Sequence, residues 1–116
     1  MEIFRCNDKD GITVICKQDT WENHIVSGHV EMEGCEVIVK TAIENPYQVY
    51  QDGKHANRKI IYKPFILPKP FHTQYLRVAI EYHKGKIIRK LQGYVCSAFA
   101  CRTKKKGDIL IWEGQL

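Results

Sequence analysis

A chain of 116 residues with 44% apolar content can fill one hydrophobic core but not two, so residues 1–116 read as a single domain. Lysine and arginine outnumber aspartate and glutamate by five and the isoelectric point is near 9.0, a balance that attracts polyanions over long range without specifying one. The sequence has no run of 18 uncharged apolar residues, and MEIFRCNDKDG lacks the basic-then-apolar layout of a signal peptide; a soluble, cytoplasmic protein without membrane association is expected.

Two β-prone runs, MEIFRC and GITVICK, flank the turn-forming NDKDG and predict an N-terminal β-hairpin. Asp19 or Thr20 then caps a helix, with Glu22 three residues after Asp19 as a capping-box partner and Gly28 as the left-handed stop. A second helix is expected from about Gly34 to Asn45, because Cys35, Ile38, Val39 and Ala42 recur at helical spacing and Pro46 follows. Strands follow at 47–52, 58–65 and 75–82, then the basic HKGKIIRKLQ as a loop or strand extension, the strand GYVCSAFAC, the turn TKKKG and a last strand, DILIWEG. Five cysteines, an odd number without a CxxC pair, read as reduced and mostly buried thiols.

The segment WENHIVSGH carries His24 and His29. On an α-helix five residues turn the chain by about 500°, leaving the two imidazoles roughly 140° apart, whereas zinc-binding helices place ligands at i and i+4. No evident third ligand is spaced nearby, so no metal and no cofactor is expected. Acid-base work is the functional alternative, since imidazoles titrate near neutral pH. The competing reading is a buried His24 and a solvated His29.

Arg58 and Tyr62 alternate onto one face of their strand, and Lys63 onto the other unless a bulge precedes Pro64. A cation and a phenol on a sheet can hold a phosphate and stabilise the added charge of a phosphorane-like transition state. Ser97 is a hydroxyl in an otherwise small or apolar strand. From YLRVAIEY into His83, Leu76, Val78, Ile80 and Tyr82 alternate with Arg77, Ala79, Glu81 and His83, which predicts one core face and one partly charged face.

In this order W-x-x-H-I-x-x-x-H, a helix ending in ENP, a tyrosine-lysine strand, YLRVAIEY, GYVCSAFA and KKKGDILIW resemble the phage and mobile-element branch of the barnase, EndoU, colicin and RelE-like nuclease superfamily. The resemblance spans roughly residues 18–113. It implies an α+β fold of N-terminal helices packed on a twisted antiparallel sheet of about four strands. It also implies metal-independent RNA cleavage, in which the 2′-hydroxyl attacks the phosphate to leave a 2′,3′-cyclic phosphate and a 5′-hydroxyl. By the resemblance His24 and His29 occupy the family's histidine motif, Arg58 and Lys63 its basic strand positions and Ser97 its Ser/Thr position; together with the strand-face reading, His24, His29, Arg58 and Ser97 are expected to be catalytic, and Tyr62, Lys63 and Arg77 to bind substrate. The expected partners are RNA and, for a toxin, an antitoxin or immunity protein; the oligomeric state is left open. Three departures stand out: serine replaces the usual threonine in the late strand, VEM follows His29 in place of a proline-glutamate pair, and HKGKIIRKLQ is longer than a simple hairpin.

Two alternatives stay open beside the endoribonuclease. One is a non-catalytic RNA-binding module using TKKKG and HKGKIIRK with aromatic stacking. The other is a protein-interaction module of a phage or mobile element that uses an exposed edge strand.

Overall fold

Seven strands carry the structure, a computed structural model that describes residues 1–87 and 89–115. In chain order they are β1 (Glu2–Asn7), β2 (Thr13–Lys17), β3 (Gln48–Gln51), β4 (Arg58–Pro64), β5 (Tyr75–Lys84), β6 (Leu91–Cys101) and β7 (Ile109–Glu113). One sheet contains them all, in the order β1-β2-β6-β5-β4-β3-β7. Every pairing is antiparallel except the short parallel contact of β2 with β6.

This corrects the expected architecture. The sheet is mixed and has seven strands, not four antiparallel ones, and strand accounts for 42% of the chain against 18% helix. The β1–β2 hairpin is not an appendage: Val14 and Ile15 pair with Gly93 and Tyr94 and satisfy the backbone of β6 at its outer edge. At the far side β7 pairs with β3, through Gln48↔Glu113 and Tyr50↔Leu110.

The first helix also departs from expectation. It starts at Gln18 as α1, whose N-cap is Lys17 with no side-chain cap bond, and continues as a π-helix over Trp21–Val26. Gly28 does not enter the left-handed region. The chain leaves the helix at His29, whose N–H still bonds the Ile25 carbonyl at 2.9 Å, and then makes a short 3₁₀ turn, Val30–Met32. The second helix, α2 (Glu36–Glu44), begins after Gly34, which adopts a φ of 78° that a side chain would resist.

The helices cover one face of the sheet. Trp21, Ile25 and Met32, with Val39, Ala42 and Ile43 of α2, pack on Val14, Ile61, Leu76, Val78, Ile80, Val95 and Ala98. Among the described residues the opposite face has no helical layer, and it holds a thinner apolar cluster of Ile60, Tyr62 and Ala79, flanked by Tyr50, Tyr75, Cys96 and Cys101. That uncovered face carries the polar side chains that alternation assigns to β4, β5 and β6. Among the described residues, no helix is long and apolar enough to cross a membrane.

Candidate functional site

β2 ends at Lys17, just after its two pairings with β6, and the chain turns into α1 and the π-helix, which run along the edge of β6. This seats His24 at the rim of the uncovered face. A cleft of about 400 Å³ opens there, lined by Ile15, Lys17, Thr20 and His24 from β2 and the helix that follows, and by Glu81, His83, Tyr94, Val95 and Cys96 from β5 and β6.

Glu81 organises the sheet wall of this cleft. Its Oε2 accepts a hydrogen bond from Arg58 Nη2 at 2.7 Å, and its Oε1 lies 3.1 Å from His83 Nε2. The Arg58 guanidinium holds the Glu81 carboxyl below its ordinary range, and Glu81 in turn raises Arg58. An ionised carboxylate can only accept, so Nε2 of His83 carries the proton and Nδ1 is left for another partner. Cys96 Sγ reaches Glu81 Oε2 at 3.6 Å, but burial first, and Glu81 second, push this thiol up to about 11. Cys96 is therefore protonated at neutral pH and a poor nucleophile. Lys17 lies with Nζ 5.2 Å from the centre of the Tyr94 ring, a cation held at the mouth of the cleft.

His24 is two-thirds exposed, and its Nε2 is 3.9 Å from Asp19 Oδ2. Asp19 is further held by Asn23, whose amide donates to Oδ1 at 2.7 Å.

A second group of residues occupies the same face further along. His29 stacks on Phe99, with centroids 4.7 Å apart, and Arg77 lies over the same ring at 5.2 Å. Arg77 and Phe99 are register partners on β5 and β6. With Tyr62, Cys101, Thr103, Lys104 and Lys105 they line a depression of about 360 Å³. Glu31 fastens this end: its Oε2 accepts from the Ala100 N–H at 3.1 Å and stands 3.9 Å from His29 Nδ1. A rise of about 3.3 Å per residue puts Arg77 roughly 13 Å from Glu81 along β5.

The residues singled out from the sequence are therefore divided. His24 belongs to the first cleft and His29 to the second group. Arg58 reaches the first cleft only through Glu81, so its charge is already paired. Tyr62 is buried, and its hydroxyl accepts from the Lys105 backbone at 3.1 Å, which orients a basic loop. Arg77 lies over the Phe99 ring and, among the described residues, makes no ion pair. Ser97 pairs with Ala79 at a β-bulge and sits on β6 between the two clusters. Lys63 is directed to the helix side of the sheet, because it pairs with Leu76 and alternates with Tyr62. His83, Lys17 and Phe99 were not singled out. Only the alternation of β5, which sets His83 on the face of Arg77 and Glu81, hinted at one of them.

Among the described residues, no group of three His, Cys, Asp or Glu side chains is arranged to hold a metal ion. Compared with known proteins, the chain matches no family model, and no curated protein or solved structure is significantly similar to it.

Proposed function

We propose that the protein is an endoribonuclease that cleaves single-stranded RNA by acid-base catalysis on the uncovered sheet face, leaving a 2′,3′-cyclic phosphate and a 5′-hydroxyl. The observation that carries this reading is the cleft that His24 on the helix, His83 on β5 and Lys17 at the end of β2 line together. Two imidazoles supply what the reaction needs. One takes the 2′-hydroxyl proton as the oxygen attacks phosphorus; the other gives a proton to the departing 5′-oxygen. Lys17 offsets the charge that accumulates on the phosphoryl oxygens.

Glu81 is the positioning residue for His83, since its carboxylate holds Nε2 and aims Nδ1 away. Asp19 serves His24 similarly, at longer range. Arg77 and His29, above Phe99, suit a neighbouring nucleotide, the guanidinium for phosphate and the ring for base stacking. The order of sequence motifs, which resembles the nuclease superfamily named above, supports the same chemistry. A toxin held by an antitoxin or immunity protein is the biological setting that the resemblance suggests.

The test is incubation of the purified protein with a defined single-stranded RNA in excess chelator, followed by analysis of the new ends. Cyclic phosphate and 5′-hydroxyl ends are expected, and the double substitution His24→Ala, His83→Ala should abolish them. Cleavage that stops on chelation, or that survives the double substitution, rejects the reading.

A further inference from the structure

We infer that two acid-free basic loops at opposite ends of β6 grip the RNA backbone on either side of the cleft, so that the substrate is a polymer extending past the cut in both directions. This rests on the endoribonuclease reading. Between Glu81 and Asp108 the chain has no acidic residue, while residues 82–107 contain eight lysines and arginines. Against a net charge of +5 for the whole chain, that segment carries +8 and the remainder −3, so the basic character of the protein is concentrated here.

The charge is divided between two places that the fold holds apart. At one end β5 and β6 outrun their neighbours: β4 pairs no further than Glu81, and β2 begins pairing at Gly93. His83 and Lys84, opposite Gln92 and Leu91, thus form a two-stranded ribbon growing directly from the cleft wall. Its turn exposes Lys84, Lys86, Arg89 and Lys90. At the other end, the loop after β6 holds Lys104 over the Tyr75 ring at 5.0 Å and is tied to the uncovered face by the Lys105–Tyr62 bond. Eleven residues of β6 separate these loops, about 35 Å at the rise of a strand.

A linear polyanion laid along β6 meets one cationic loop, the cleft and then the other loop. Unpaired lysines and arginines gain by releasing counterions from such a strand. An anionic membrane fits less well, because Ile87 is the only apolar side chain that the described turn exposes, too little for insertion.

The test uses the full chain and a single-stranded, fully 2′-O-methylated RNA, which lacks the attacking hydroxyl and cannot be cut. Affinity for a 20-mer and a 4-mer is measured across a salt series for the wild type, for Lys84→Ala/Lys86→Ala/Arg89→Ala/Lys90→Ala, and for Lys104→Ala/Lys105→Ala/Lys106→Ala. Thermal unfolding verifies that each variant is folded. Each variant should bind the 20-mer at least about tenfold more weakly and lower the slope of log K against log salt by about two, with 4-mer binding by the first variant within about twofold. Unchanged 20-mer binding in either variant overturns the proposal, and assigns those cations to another partner such as an acidic protein. An equal loss for the 4-mer in the first variant also overturns it. Loop-dependent binding by a wild type that cuts no RNA supports the two-loop grip and rejects the nuclease reading; cleavage of long RNA indifferent to both loops does the reverse.

Discussion

Asp19 Oδ2 stands 3.9 Å from His24 Nε2, although five positions separate the two residues along one helix. In α geometry they would diverge by roughly 140°, but the π-helical stretch from Trp21 to Val26 widens the turn and brings i and i+5 toward one side. The same widening lets Trp21 and Ile25 stay buried while His24 points to the uncovered face. The helix that forms is thus not the α-helix whose spacing sets His24 and His29 about 140° apart, yet the two imidazoles still go to different places, His24 to the cleft and His29 onto Phe99.

The histidines of the two clusters should separate kinetically. His24→Ala and His83→Ala are each expected to lower kcat/KM by about 10²–10⁴-fold, mainly through kcat, because each removes a proton-transfer group. His29→Ala removes a ring stacked on Phe99 and should raise KM while leaving kcat within a few-fold. Steady-state kinetics on a short RNA checks this; a collapse of kcat in His29→Ala would move the chemistry to the second cluster.

Glu81 links stability to pH with a definite sign. Its folded pKa lies below the ordinary 4.5 because of Arg58, so its contribution is present above the unfolded value and is lost as pH falls through the folded one. Urea unfolding of wild type and Glu81→Gln should show a stability gap that is constant above the ordinary carboxylate range and closes as the pH falls below it. A gap that widens on acidification contradicts the Arg58–Glu81 assignment.

Glu31 holds the 3₁₀ turn to the outer edge of β6 through the Ala100 N–H. Glu31→Ala leaves that donor without its partner and should cost about 1–3 kcal/mol in denaturant unfolding. Glu31→Gln keeps an acceptor oxygen and should recover part of the loss. Equal stability of all three proteins would show that the contact is not made.

Gly93 marks the junction of the hairpin with β6. A Cβ there would meet Ile80 Cγ2 at 2.9 Å, Tyr82 Cε1 at 3.0 Å and Val14 Cγ2 at 3.1 Å. Gly93→Ala should therefore destabilise by about 1–3 kcal/mol through overpacking, read as a lower denaturation midpoint. A neutral effect would indicate that β2 and β6 do not approach as closely as described.

Local chemistry alone determined much of this protein. The hairpin runs around NDKDG, the apolar stripe of Ile38, Val39 and Ala42, and the alternation of Leu76, Val78 and Ile80 against Arg77 and Glu81 all follow from short-range sterics and side-chain period. They were sufficient to place the strands and to separate a core face from a charged one. Strand order was beyond their reach. Whether β2 joins β6, and whether β7 returns to β3, depends on which sheet edges meet after distant segments collapse, and no local period encodes that. His24 comes to share a cleft with His83, not with His29, because the parallel contact of β2 with β6 delivers the following helix there. Arg58 ends paired with Glu81, because register brings those two positions opposite each other. The sequence by itself supplied the reactive groups and their faces; long-range pairing of backbone donors and acceptors decided which of them share a cavity.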